Sequence, residues 1–302
     1  LIPTPLSQPK PDQLIRAVVH VCIAFFMFTA MQALGKLLVD SHDAMEIAFY
    51  RGLLAAIPCL IYVMVTRQYH LLKTKMPITL MLRVLIGSAG VVMTLGAAQY
   101  LPIANATVLF FMSTLLIPVL SHFVLHEKIG PHRWIAVAIG MTGVLIAMQP
   151  SAQMTLIGVA LALGAATVHA IIQVLIRSMK SESTFTITFY FFLSGIVLGG
   201  VFMPWVYDPL DMDSAILMLG IGITGGLGQY FLTSGFKMAP ASFLGPFNYT
   251  GLIWATMFDI MIWQHVPGYP VFLGGAIIIA SNFYILYREK LAEKRKAQEP
   301  SA

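Results

Sequence analysis

The chain has 302 residues, of which 58% are apolar and only 10% charged, with a mean hydropathy of +0.81. A soluble domain carries about 25% charged residues, so this composition excludes an ordinary soluble fold and describes an all-α integral membrane protein. The formal net charge of +5 does not point to nucleic acid, because the basic residues sort by side of the membrane.

Residues 1–16 read as a polar N-terminal tail, its start crowded with Pro3, Pro5, Pro9 and Pro11 and expected to be unstructured. The apolar run after Arg16 is too long for a signal-peptide core and ends in no small-residue cleavage pattern, so it reads as a retained span. Charged loops and turn residues divide the rest into ten helices. These are 17–39, 44–66, 78–99, 104–125, 133–149, 155–176, 185–206, 214–236, 241–264 and 268–287. Each is close to the length of about 20 residues that crosses a bilayer. Residues 288–302 make a charged, solvated tail.

The chain also repeats itself. Tyr100-x-x-x-Ala104-Asn105-Ala106 is answered by Phe236-x-x-x-Pro240-Ala241-Ser242, Glu127-x-x-Gly130 by His265-x-x-Gly268, and Ile47-Ala-Phe-Tyr50 by Ile187-Thr-Phe-Tyr190. The offset is roughly 140 residues, which divides the chain into copies at 17–149 and 155–287. One set of loops collects Lys10, Arg16, Arg67, Lys73, Lys75, Lys128, Arg133, Arg177, Lys180, Lys237 and the Arg288–Lys296 cluster. The other set holds Asp40, Asp43, Glu46, Asp208, Asp211 and Asp213 and no extramembrane Lys or Arg. Positive charge stays inside, so both termini are expected to be cytoplasmic. Five spans per copy is an odd number, so the second copy enters from the opposite face. Two inverted five-helix repeats are the architecture of alternating-access carriers, with the substrate near the midplane between them.

Particular residues add a resemblance. Lys36 ends the first span, Phe49-Tyr50-Arg51 lies in the second, and Tyr100–Ala106 precedes the fourth. His126-Glu127-Lys128-Ile129-Gly130, Trp134 and Gly140-x-x-Gly143 follow, and the second half has Ala239-Pro240-Ala241-Ser242 and Pro246-Phe247-x-Tyr249. In this order, over 17–287, the chain resembles the two-domain EamA-type branch of the drug/metabolite transporter superfamily. The resemblance implies a ten-helix carrier of the bacterial inner membrane, with a cavity lined by spans 1, 3, 4, 6, 8 and 9. Such carriers move amino acids, nucleosides, drugs and related metabolites, mostly outward, and a subset resembles S-adenosylmethionine uptake carriers. The chain departs from the pattern at His265, where the family has Glu, and in a first span without the Trp-Gly pair.

Charge at membrane depth is costly, so each case needs a reason. Asp259 shares a small, polar stripe with Gly245, Asn248, Leu252 and Ala255. It is read either as a proton or cation site or as a carboxylate neutralised by a partner or by protonation. Arg51 and Lys36 could hold a substrate carboxylate. Alternatively Arg51 pairs with Glu46 or Asp43, the favoured reading, and Lys36 snorkels. Arg83 is expected to snorkel to lipid phosphate.

Gln32, His169, Gln173, Gln229 and Asn248 are polar groups at depth that either bond helix to helix or read a zwitterion. Phe111, Tyr230, Tyr249 and Trp254 offer an apolar wall. Small residues Gly87, Gly90, Thr94 and Ala97 on span 3 and the glycines of span 8 suit a moving interface.

Other chemistries find little footing. Gly220-x-Gly222-x-x-Gly225 follows no strand and lies inside a span, so it is no dinucleotide loop. His122, His126 and His132 lack a zinc pattern, and Cys22 and Cys59 lack ligand spacing, so no metal and no cofactor is expected. An intramembrane enzyme would need a nucleophile–base pair at depth. His169 and Asp259 are the candidates, and neither has an evident partner in the sequence. The reading is a secondary active or facilitative transporter of a small, amino-acid-like amphipathic metabolite. Export is expected, with an importer or exchanger of the same fold as the alternative and a proton as candidate coupling ion.

Overall fold

A computed structural model describes residues 11–125, 131–147, 155–179, 182–238 and 244–298. Its described regular structure is helical and falls on every expected span. Span 1 is Pro11–Leu38, span 2 Ala44–Thr66, span 3 Pro77–Tyr100, span 5 Pro131–Ala147, span 6 Leu156–Ser178, span 7 Thr184–Val206 and span 8 Met212–Met238. Span 4 is two helices, Ile103–Phe110 and Met112–Leu125. Span 9 opens with a 3₁₀ turn, Gly245–Tyr249, and continues as Thr250–Trp263. Span 10 is Tyr269–Gln298. Spans 1, 2, 3, 7 and 8 are long and apolar enough to cross a membrane; stretches of spans 4, 5, 6 and 10 are shorter apolar helices.

Both expected tails are partly helical. Pro11 opens the first helix, since a proline in the first turn has no hydrogen bond to lose and a preset φ. Leu14 then packs on the core of Ala17, Val21 and Leu244. At the other end the tenth helix runs on through the charged residues to Gln298. Capping follows the sequence elsewhere. Asp43 starts span 2 by accepting from Met45 N, and Ser183 starts span 7 by accepting from Thr186 N.

Packing follows a simple rule. Span 1 lies on span 8 and span 6 on span 3; span 2 pairs with span 7, span 5 with span 10, and span 4 with span 9. Span 9 also touches span 1 as span 4 touches span 6, and span 2 touches span 8 as span 7 touches span 3. Adding five to each span number exchanges these pairs among themselves. That is the pseudo-twofold of an inverted repeat.

Spans 3 and 8 therefore sit on opposite flanks, each against the first helix of the other half. At two of the self-paired contacts backbone meets backbone. A Cβ on Gly52 would stand 2.6 Å from the Phe192 carbonyl oxygen, and one on Gly143 2.8 Å from that of Gly274. Only glycine permits these approaches.

The charged loops mark two rims. The basic rim carries Arg67, Lys73 and Lys75, with a short 3₁₀ turn at Tyr69–Leu72. The acidic rim carries Asp40, Asp43 and Asp208.

Candidate functional site

The two irregular helices meet at the centre. Span 4 loses its regular helix at Phe111, whose N–H is shared between the Thr107 and Val108 carbonyls. Span 9 is tight until Tyr249 and regular afterwards. The rings of Phe111 and Tyr249 pack edge to face with centroids 4.9 Å apart, and both are buried. They lie in the largest apolar cluster, with Val108, Leu109, Leu115, Val144 and Ile278. Helix breaks at membrane depth are tolerated where protein or a cavity satisfies the backbone, and here each break rests against the other.

Polar atoms without partners gather on the same two spans. Asn105 Oδ1 and Thr107 Oγ1 on span 4, and Asn248 Oδ1, Trp254 Nε1 and Thr256 Oγ1 on span 9, are buried without a protein hydrogen bond. Leaving such a group unsatisfied costs about 1–3 kcal/mol. Five on these two spans is a pattern that ligand or water would answer. Aromatic walls flank them: His169 of span 6 packs on Phe110 at 4.8 Å, and Trp254 packs on Phe26 at 5.1 Å.

Toward the acidic rim the crossing is clamped. Asp259 is fully buried, and its two oxygens accept from Ile103 N at 3.0 Å and Ala104 N at 2.7 Å, the first turn of span 4. The N-terminal N–H groups of a helix have no partner within it, and negative charge there opposes the positive end of the helix dipole. Lys36 takes the complementary end. Its Nζ donates to the Leu101 carbonyl at 2.8 Å, where span 3 stops, and lies 4.8 Å from the Trp263 ring centre. The Leu101–Pro102 link is thus held between span 1 and span 9. A vestibule of about 400 Å³ opens above it, bordered by Gln99, Tyr100, Trp263, Gln264 and His265.

Toward the basic rim a second carboxylate does similar work in water. Glu182, between spans 6 and 7, accepts from Thr74 Oγ1 at 2.8 Å, from Met76 N at 2.8 Å and from Lys75 N, all at the start of span 3. Its partial desolvation pushes the carboxyl up, but these hydrogen bonds and Lys75 outweigh that and hold it below the ordinary glutamate range. Thr186 Oγ1 donates to the Leu71 carbonyl at 2.8 Å and Tyr190 OH to that of Leu72 at 2.9 Å.

The expected site residues divide accordingly. Phe111, Tyr249, Asn248, Trp254 and His169 are brought to the crossing or its walls. Gln32 and Gln229 are half-buried on spans 1 and 8, and the side chain of Gln173 lies outside the described residues. Tyr230 is not brought to the crossing: it is 64% exposed and continues the exposed apolar stripe of Ile216, Leu219, Ile223 and Leu227.

The charged candidates also change character. Asp259 caps a helix, with both oxygens occupied, and Lys36 bonds a carbonyl rather than snorkelling. Arg51 does not pair with Glu46 or Asp43. Glu46 bonds His42 Nδ1 at 2.9 Å, and Asp43 caps its own helix. Arg83 does not reach lipid phosphate; it is 4% exposed with its guanidinium 4.4 Å from the Phe191 ring centre. Sequence reasoning missed Thr107, Thr256 and Glu182. Thr107 carried a signal in its place beside the repeated Asn105-Ala106. The Glu127-x-x-Gly130 and Ala239–Ser242 motifs lie outside the described residues; His265, the counterpart of Glu127 in the second half, borders the vestibule.

Comparison with known proteins agrees with this architecture. A model of the EamA-like transporter family matches residues 15–149 and again 156–287. An S-adenosylmethionine uptake transporter of Rickettsia conorii is 27% identical over 274 residues, covering 89% of this chain and 91% of its own. A pseudopaline exporter of Pseudomonas aeruginosa is 26% identical, covering 89% and 95%. An uncharacterised transporter of Helicobacter pylori is 26% identical, covering 94% and 99%. A solved crystal structure superposes with a TM-score of 0.62 at 15% identity, over 89% of this chain and 98% of that one, and shares the fold.

Proposed function

Because the chain belongs to the EamA-like transporter family, we propose that it carries a small, amino-acid-like amphipathic metabolite across the bacterial inner membrane by alternating access. The observation that carries this reading is the set of five unpartnered polar atoms on the two broken spans, 4 and 9, that cross each other. They offer acceptors and a donor beside aromatic walls, which suits a zwitterion with an apolar part. The two matched segments act as two halves that rock about this crossing. The acidic-rim clamp and the basic-rim latch alternate, one released in each open state. The basic rim is cytoplasmic, as the lysines and arginines of its loops favour, and so are both termini.

The relatives named above include an uptake transporter and an exporter, so the fold serves both directions. Export is the reading for this chain, with gradients setting the net flow and no chemical conversion of the substrate. Asp259 serves gating rather than proton coupling, because taking a proton would remove one of the acceptors that hold span 4.

The test is counterflow in proteoliposomes with labelled amino acids, nucleosides and S-adenosylmethionine, with and without a pH gradient. One class should exchange. Asn248→Ala and Thr256→Val should each raise its half-saturating concentration about tenfold, the worth of about 1.4 kcal/mol. Exchange with unchanged half-saturation in both variants would remove the crossing as the site.

A further inference from the structure

Two arginines inside the helix bundle lack the partner their burial demands. Arg51 on span 2 is 7% exposed and Arg83 on span 3 is 4% exposed. Both guanidiniums gather on one ring of the other half, with Arg51 Cζ 5.3 Å and Arg83 Cζ 4.4 Å from the centre of Phe191. Two like charges on one ring repel each other. Arg83 Nε and Nη1 have no hydrogen-bond partner. Arg51 Nε meets Met31 Sδ at 3.1 Å, a weak acceptor. Among the described residues no carboxylate touches either guanidinium, and the nearby Glu46 is committed to His42.

The magnitudes decide the reading. Desolvating a guanidinium is costly even after relaxation, and a cation–π contact with one ring offsets only part of that cost. Two like charges side by side widen the deficit. Removing both arginines would be the simple remedy if they served packing alone.

Space lies beside Arg51. A cavity of about 130 Å³ is bordered by Arg51, Ser88, Phe191 and several glycines, and otherwise by apolar side chains such as Leu85, Val92 and Phe202; Arg83 is not on its border. Ser88 Oγ and Ser194 Oγ share a hydrogen bond of 2.6 Å beside it. Glycine also stands where a side chain would press on the cluster. A Cβ on Gly225 would come 3.1 Å from Arg51 Nε, and one on Gly87 3.1 Å from the Phe191 ring.

We propose that Arg51 and Arg83, gathered on Phe191 between spans 2, 3 and 7, form a binding site for the carboxylate of an amino-acid-like substrate. The planar guanidinium fork matches a carboxylate in two parallel hydrogen bonds, and the cavity beside Arg51 has room for a head group rather than a whole large metabolite. The arginines belong to the first half and Phe191 to the second, so the bound anion joins the two halves. Its role in transport rests on the carrier reading above; the binding itself does not.

The experiment is thermal unfolding of the purified full chain in lipid-depleted detergent and in phosphatidylcholine nanodiscs. Acetate, glycine, glycinamide and inorganic phosphate are titrated at constant ionic strength in chloride. Acetate and glycine should raise the midpoint saturably, and glycinamide should not. Arg51→Gln and Arg83→Gln should each weaken the response at least tenfold. Anion-free Arg83→Gln should unfold no lower than the wild type, because a buried unpaired charge has gone. If either variant fails to fold, Gly225→Ala should weaken acetate binding several-fold by crowding Arg51.

No saturable response of the wild type to acetate and glycine would overturn the proposal, as would an unchanged response in the arginine variants. Tighter binding of phosphate than of acetate would also overturn it. So would stabilisation by phosphatidylglycerol nanodiscs without any response to acetate, which would assign the site to lipid. Counterflow separates the two claims. Anion binding without counterflow sinks the carrier reading alone. Counterflow without anion binding sinks this site alone.

Discussion

On each side of the molecule a carboxylate of the second half caps a helix start in the first, yet one contact is dry and the other wet. Asp259 is fully buried and holds two backbone N–H groups at the break before span 4. Glu182 lies in a loop at the basic rim and holds the start of span 3 with the help of a threonine hydroxyl. The chemistry is nearly the same. What differs is the medium: Asp259 is buried beneath the vestibule whereas Glu182 is partly exposed, so water competes far more for the bonds of Glu182. A rocking carrier needs two closures, and these two are expected to differ in what it takes to open them.

The largest expected effect is at the dry contact. Asp259→Ala leaves two buried N–H groups without acceptors and removes one of the two carboxylates, Asp259 and Asp40, near Lys36. The loss should be about 2–6 kcal/mol, about 1–3 for each N–H left unsatisfied, read as a drop in the unfolding midpoint together with counterflow below a tenth of wild type. Asp259→Asn keeps an acceptor and should fall between, with the pH dependence of transport unchanged. A shifted pH profile in that variant would restore the proton-coupling reading.

Lys36→Met comes next. It removes the bond to the Leu101 carbonyl while keeping the apolar stem over Trp263. About 1.5–3 kcal/mol is at stake, with a several-fold loss of exchange. An effect as large as that of Asp259→Ala would show that the pair acts as one unit.

Glu182→Gln should be smallest, within about twofold in counterflow, as is usual for solvated charge contacts. Its pH dependence sharpens the comparison. The native carboxyl sits below its ordinary value of 4.5, so its contribution is complete above that value and fades as pH falls through the lower native one. The unfolding midpoints of wild type and Glu182→Gln should therefore differ at neutral pH and converge only in acid. Convergence at neutral pH would deny the latch.

The span count and the sorting of charge were legible because run length and loop composition are local properties of a chain. The repeat was legible because Tyr100–Ala106 and Phe236–Ser242 kept enough likeness to align. The break in span 4 was not, since neither glycine nor proline marks Phe111; it exists where the span crosses Tyr249. Pro246 did mark the start of the irregular turn in span 9. Asp259 stood out as a deep carboxylate, but its partners are backbone N–H groups, which carry no residue identity. Arg83 was misread because its distance from the helix end suggests snorkelling, and Phe191 reaches it from more than 100 residues away. The exposure of Tyr230 could have been read. Ile216, Leu219, Ile223 and Leu227 already trace a large apolar face at helical spacing.

Alternating access requires that the crossing of spans 4 and 9 be reached from both sides of the membrane. The direct measurement is labelling of Thr107→Cys and Asn248→Cys, in a background with Cys22 and Cys59 changed to serine, by an impermeant maleimide. Right-side-out and inside-out vesicles expose one face each. The account predicts labelling from either face, slowed by the exchanging substrate and confined to one face when the acidic-rim clamp is cross-linked shut. Labelling from one face only, with exchange intact, would contradict it.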